Sequence, residues 1–392
     1  MAYIWGVLGL FLALLTVYFG ISFYLMKRVL KPVNRTQQHI YEREIKRGID
    51  EGIYKIPNKL ILIKSRYKYN LSAHLYSAQS NKFVIISHGL TDSYYSQIKY
   101  ADFFVKLGIN ALLVNLRTSE QTGGKFLTYG AKESDDILNW ISYLKQNYPN
   151  CKIGVMGESM GGATSILAAS KVCKEQENQQ TEQAQQTQDM RNATSLTNGA
   201  NKTDKDSNAT SLTANIAEIK SSATNIESNA TSLTANTAEI KSSAANIESK
   251  ATSLEANAAT STACGAKDLE FLISYCSYSS FWEILKTRGK EDLKVNIAMF
   301  KPALFFAFWC FTGKMLGGVN LKKAIAKVTI PTLLLHNYDD NYVPYSHAEM
   351  LLKENNNAKL HSFKGAKHVS DFYFNNKEMT TVIKEFLAEI NF

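Results

Sequence analysis

The chain has 392 residues, 45% of them apolar and 11% aromatic, enough to bury a sizeable core and too apolar for a wholly disordered protein. Its net charge of +9 raises the question of nucleic acid, but twelve Lys and Arg against four acids fall between Lys27 and Lys68, so the excess sits in one stretch rather than over a binding face, and no nucleic-acid partner is expected. Five cysteines, an odd number without paired spacing, argue against a disulfide framework and suit a reducing compartment.

From Met1 to Met26 no side chain is charged, and Tyr3–Met26 is a near-continuous apolar run of 24 residues. As a helix it would rise roughly 36 Å, enough to cross a hydrocarbon core of about 30 Å. Tyr3, Trp5, Phe23 and Tyr24 lie near its ends, where amphipathic rings favour the lipid interface. The run lacks the basic flank and A-x-A-like cleavage site of a signal peptide. Residues 1–26 are therefore expected to be a single-pass transmembrane anchor. Lys27, Arg28, Lys31 and Arg35 follow at once. Residues 27–59 read as a basic juxtamembrane segment touching anionic lipid, which places the rest of the chain in the cytoplasm.

Beyond it, strand and helix patterns alternate as in a parallel sheet with crossover helices. Leu60–Ser65 and Leu71–Tyr76 read as an opening hairpin. Apolar strands are expected at Phe83–Ser87, Ala111–Asn115, Ile153–Met156, Phe271–Tyr275 and Thr332–Leu335, with a last one near Leu360–Phe363. Helical periodicity fits Ile98–Leu107, Glu133–Gln146, Gly162–Val172, Ser346–Lys353 and Met379–Ile390.

One stretch breaks this alternation. Residues 174–267 contain no Phe, Trp or Tyr and are dominated by Gln, Asn, Ser, Thr and Ala, a composition that builds no globular core. Asn208–Ser228 and Asn229–Ser249 are near-identical copies, alike at 19 of 21 positions, and a decayed third copy begins at Lys250. A period of 21 is three heptads, and Leu212, Ile216, Ile219, Ala223 and Ile226 open a seam of alternating four- and three-residue steps. The insert is expected to be helical. Its seam would let chains self-associate as a coiled coil, although many seam positions are the small or polar residues Ala and Thr.

The chemistry gathers at the carboxyl ends of the strands. Strand 153–156 runs into Gly157-Glu158-Ser159-Met160-Gly161-Gly162, a G-x-S-x-G. The glycines permit a sharp strand-to-helix turn that exposes the Ser159 hydroxyl, and the N–H of Met160 then faces a developing oxyanion. Phe83-Val84-Ile85-Ile86-Ser87-His88-Gly89-Leu90 resembles the H-G loop of the α/β-hydrolase superfamily. Pro331–Pro344 is similar to that family's P-x-L-x-x-H-G-x-x-D-x-x-V-P, and Gly365-Ala366-Lys367-His368 to its G-x-x-H. The resemblance runs from about Leu60 to Phe392 without the insert. It is nearest to bacterial membrane-anchored, prolyl-oligopeptidase-like serine hydrolases.

That resemblance implies an α/β-hydrolase fold, a mostly parallel sheet with helices on both faces. It also implies a catalytic triad of Ser159, Asp340 and His368, an oxyanion hole from the backbone N–H groups of Leu90 and Met160, and a loop-ordering role for His88. Asp339 is the neighbouring carboxylate to be told apart from Asp340. Three positions depart from the family pattern: Asp92 stands where many relatives carry a second glycine, Arg117-Thr118-Ser119-Glu120 replaces R-G-H-G, and Asn337 replaces a glycine.

The hydrolase core would comprise residues 60–173 and 268–392, with a cap at about 279–328. The cap's run of Phe300, Leu304, Phe305, Phe306, Phe308, Trp309 and Phe311 either packs it onto the sheet, lines an apolar acyl pocket, or dips into the bilayer. No Cys/His ligand spacing and no phosphate-binding glycine loop occurs, so no metal or organic cofactor is implied. The expected activity is hydrolysis of an ester or other acyl bond in a small or lipid-like substrate. A serine peptidase or amidase stays open as an alternative, as does a membrane-tethered interaction protein that works through the repeat.

Overall fold

The protein is described from a computed structural model, which covers residues 1–31, 34–200 and 269–392. Contacts divide the chain into one unit of Met1–Gln176 with Ala263–Phe392 and a second of Glu177–Thr262. The repeat copies and their seam lie outside the described residues.

Strands rich in Val, Ile, Leu and Phe can be buried on both faces only if helices cover both sides of the sheet. Eight of them form one sheet: β1 (Lys59–Lys64), β2 (Asn70–Tyr76), β3 (Lys82–Ser87), β4 (Asn110–Val114), β5 (Lys152–Glu158), β6 (Phe271–Tyr275), β7 (Thr332–Asn337) and β8 (Ala358–Phe363). Their order is β1-β2-β4-β3-β5-β6-β7-β8, with β1 and β2 antiparallel and the pairs from β4 to β8 parallel. Every residue of β4, β6 and β7 is buried.

The pleat sends alternate side chains to two cores. Phe83, Ile85, Leu112, Ile153, Val155 and Leu272 face one, with α4 (Glu133–Asn147) and α5 (Met160–Ala200) packed over them. Val84, Ile86, Leu113, Met156, Ile273 and Leu335 face the other, under α3 (Ile98–Lys106) and a carboxy-terminal helix, Asn376–Glu389. This is the expected architecture, with strand starts within two residues of their expected places. Helix α5 runs well past Val172, since Gln, Glu, Lys and Ala favour helix and no Gly or Pro interrupts until Gly199.

The amino terminus holds one helix, α1 (Ala2–Leu30), whose segment Tyr3–Leu30 is long and apolar enough to cross a membrane, with a mean hydropathy of 2.2 over its 18-residue apolar window. Its last turns are part of the fold. Met26 and Leu30 are fully buried in the first core, and Leu127 N–H donates to Leu30 O.

The segment after it, read as lipid-facing charge, contains an unforeseen helix, α2 (Gln37–Lys46), capped by the Thr36 hydroxyl on His39 N–H. The cap region carries two more unforeseen helices, α6 (Phe281–Asp292) and α7 (Lys301–Thr312). Shorter helices follow as α8 (Leu321–Ile325), α9 (Ser346–Leu352) and α10 (Asp371–Phe374), and the carboxy-terminal helix is α11.

Candidate active site

The turn from β5 into α5 places Ser159 at φ +54°, a left-handed conformation that a non-glycine residue holds only under constraint. The constraint is visible around it. A methyl on Gly157 would stand 2.2 Å from the Gly161 carbonyl carbon, and one on Gly161 would stand 2.1 Å from Ser87 O. Neither glycine tolerates a side chain, so strand, loop and helix close tightly about the serine. Ser159 N–H donates to Tyr275 O at 2.8 Å, locking the turn to β6.

Three side chains from three loops then meet. The Ser159 hydroxyl lies 3.0 Å from His368 Nε2, and His368 Nδ1 lies 2.6 Å from Asp340 Oδ2. Asp340 follows β7 and is buried; its Oδ1 accepts from the N–H groups of Tyr342 and Val343, both at 2.8 Å. Burial acts to raise the Asp340 carboxyl, but the His368 hydrogen bond and charge and those two N–H groups outweigh it. They hold the carboxyl below its ordinary value. Asp339 is elsewhere: exposed, with Oδ2 accepting from Gly365 N–H at 2.7 Å.

His88 is buried. Its Nε2 accepts from Leu116 N–H at 3.0 Å, so the proton is on Nδ1 and is donated to Gly89 O at 2.8 Å. Burial lowers its pKa, and the neutral ring ties the β3 loop to the β4 loop. The loop it orders lies against Ser159: a methyl on Gly89 would stand 3.6 Å from Ser159 Cβ. Among the described residues, neither Leu90 N–H nor Met160 N–H donates to a protein acceptor.

Next to Ser159 lies a buried polar network that sequence reasoning missed. Glu158, the residue before Ser159, accepts from Gln97 Nε2 at 2.6 Å and from the Tyr100 hydroxyl at 2.5 Å. Lys99 Nζ stands 3.6 Å from Glu158 and 3.6 Å from Glu44, which comes from α2 and also accepts from the Tyr373 hydroxyl. Burial works against the Lys99 charge, and the two carboxylates overcome it, so its pKa is raised. Burial likewise opposes the Glu44 charge; Lys99, Tyr373 and Arg43 overcome it and lower the pKa. Next to it Arg43 forks onto Asp92 with bonds of 3.0 and 3.2 Å.

The departures from the family motifs find their partners here. Asp92 takes Arg43 and Arg35, Asn337 donates to Asp371 at 2.5 Å, and Arg117 lies over the Tyr69 ring, 4.5 Å from its centroid.

Ser159 opens into a cleft of about 360 Å³, with Arg35, Arg43, Lys99 and Tyr342 among its lining residues. Cys276, Asp340 and His368 bring potential ligand atoms within 4.8 Å of one another. They do not fit a metal. Asp340 and His368 spend those atoms on each other, and burial raises the Cys276 thiol well above its ordinary pKa, away from the thiolate a metal needs.

A family model described as alpha/beta hydrolase fold matches residues 82–373. Uncharacterized protein YqkD of Bacillus subtilis (strain 168) is 33% identical over 168 residues, covering 42% of this chain and 55% of that protein, so the match spans about half of the curated relative's length. In structure, the Pyrococcus furiosus esterase Pf2001 superposes with a TM-score of 0.52 at 17% identity, covering 87% of this chain and 96% of that one. A second crystal form of the same esterase gives 0.51 at 18%, over 92% and 96%. At such identity the likeness is one of fold.

Proposed function

This chain belongs to the alpha/beta hydrolase fold family, and from that premise we propose that it is a serine hydrolase that cleaves a carboxylic ester through an acyl-enzyme on Ser159. The observation that carries the reading is the unbroken chain Ser159–His368–Asp340, with contacts of 3.0 and 2.6 Å, on a nucleophile held at φ +54°.

His368 Nε2 accepts the Ser159 proton as Oγ attacks the acyl carbon, and Asp340 holds Nδ1–H so that Nε2 stays the basic nitrogen. The N–H groups of Leu90 and Met160 stabilise the oxyanion, each worth about 3 kcal/mol by comparison with other oxyanion donors. Collapse returns the proton to the leaving alkoxide. Water, activated by the same histidine, then releases the acid. The cleft of about 360 Å³ suits a small acyl substrate or the ester end of a lipid-like one. Helix α1 is read as a single-pass anchor that leaves the hydrolase in the cytoplasm, a placement that protease treatment of intact cells tests.

The deciding experiment is fluorophosphonate labelling of the full chain beside Ser159→Ala. Wild type should label and turn over a p-nitrophenyl ester. The variant should lose labelling and at least about a thousand-fold in kcat while keeping its unfolding midpoint. Labelling that survives in the variant would move the nucleophile elsewhere.

A further inference from the structure

Side chains on α1 are exposed all round through its first turns: Tyr3, Trp5, Leu10 and Leu14 all stand free. Among the described residues, Tyr18 is the first residue of α1 with a ring contact or side-chain bond to the rest of the chain. It stacks on Phe300 at 5.4 Å, and its hydroxyl donates to Met299 O at 3.0 Å. Phe19 meets Phe306, and Phe23 meets Phe306 and Phe311.

The exposed apolar run of α1 and its first contacts with the cap adjoin each other. Val17 is exposed, and the next two residues, Tyr18 and Phe19, already meet Phe300, Met299 and Phe306. Where that run enters the hydrocarbon, Met299, Phe300 and Phe306 stand beside the point of entry, at the boundary between acyl chains and headgroups.

Their exposure supports the same placement independently. Met299 is 67% exposed, Phe306 48% and Trp309 49%, and Phe306 and Trp309 stack on one face of α7 at 5.9 Å. Two exposed lysines, Lys294 and Lys301, lie within five positions of Met299 in the chain, basic charge of the kind that favours headgroup phosphates.

We propose that the Met299–Phe306–Trp309 face of the cap is seated in the interfacial layer of the bilayer that α1 enters, so that the cap is membrane-docked rather than merely tethered. The proposal rests on the anchor reading of α1.

The test reconstitutes the full chain in phosphatidylcholine–phosphatidylglycerol vesicles carrying lipids brominated at shallow or deep acyl positions. Tryptophan emission is compared among wild type, Trp309→Phe and Trp5→Phe. Phenylalanine keeps both sites apolar, so neither variant should unfold. The emission lost in Trp309→Phe should be quenched about two-fold or more by shallow bromines and less by deep ones. If that component is unquenched while the Trp5 component is quenched, the anchor stands and the docked cap is refuted. If neither is quenched, the anchor reading fails and takes the proposal with it. If Trp309 is unquenched and copies cross-link through the exposed Cys310, the face belongs to a second copy of the chain and the proposal is overturned.

Discussion

The carboxyl ends of β3, β5 and β7 and the stretch from Arg35 to Arg47 line the same cleft but obey different rules. At the strand ends, backbone geometry dictates residue type: two glycines that admit no side chain surround a serine at φ +54°, and Asp340 takes two N–H groups of its own loop. In the amino-terminal stretch the contacts that tie it to the rest of the fold are not local. Besides its neighbour Glu44, Arg43 takes Asp92, 49 positions away, and the buried Glu44 meets Tyr373 across 329 positions. Chemistry written into a turn can be read from the turn. A charge declares its partner only when the chain has folded.

The largest expected effect tests the first of these regions. Asp340→Asn should lower kcat about ten-thousand-fold by favouring the wrong His368 tautomer, whereas Asp339→Asn should stay within a few-fold. Asp339 reaches Gly365 N–H and not the histidine. Equal impairment of the two variants in steady-state kinetics would break the assignment of roles at this loop.

The second region is tested through stability. Lys99 is buried between Glu44 and Glu158, and Lys99→Met would leave both carboxylates without it. Losing one partner of a buried ionic network costs roughly 3–5 kcal/mol, read from urea unfolding of the detergent-solubilised chain. Adding Glu44→Gln should recover part of the loss. A Lys99→Met protein within about 1 kcal/mol of wild type would show that α2 is not held through this lysine.

A gentler perturbation uses acid. The Glu44 carboxyl is depressed in the folded state from an ordinary value of 4.5, so its contribution is complete above that value and fades as pH falls through the lower, folded one. Amides of α2 should lose hydrogen-exchange protection below about pH 4.5 relative to those of β4, a buried strand that carries no carboxylate. Glu44→Gln should abolish that difference. Parallel loss of protection in α2 and β4 would mean that the whole fold yields first.

These tests follow the line between what was legible and what was not. The central strands β3 to β7 could be read because short apolar runs bounded by turns have few other uses, and β1, β2 and β8, towards the sheet's edges, from their shorter apolar patches. The trio Ser159, Asp340 and His368 followed from motif order, whereas its 2.6 and 3.0 Å contacts required the fold. Helix α2 was missed because only Ile40 and Glu44 of its ten residues are buried, too few to make a stripe. Its one local signal was Thr36 as a cap, three residues ahead of His39. For α6 the signal was stronger, since Ser280 and Glu283 have capping-box spacing and Ser280 accepts from Glu283 N–H at 3.1 Å. The Glu158–Lys99–Glu44 network left no pattern at all. A buried ion pair looks in sequence like any exposed one.

The smallest expected effect is none. Residues 177–262 should be replaceable by a long Gly/Ser linker with kcat/KM on a small soluble ester unchanged within about two-fold. The cut belongs at Glu177 rather than at Lys174 because Gln176 is still buried, 8% exposed, and falls within the unit that contains the sheet. On the other side β6 begins at Phe271, and the residues that meet at Ser159 all come from the loops of that sheet-bearing unit. The removed tract has no aromatic side chain with which to shape an acyl pocket. Closing a shorter loop in place of a longer one changes chain entropy by only about 0.6 kcal/mol per halving of length, so stability should barely move. If the heptad seam pairs chains, the same variant should show a lower mass by light scattering in detergent while its turnover stays level. Turnover that collapses in a variant with an unchanged unfolding midpoint would place part of the catalytic machinery in the repeat, and the contrast between local motif and distant partner would then extend to a third region of the chain.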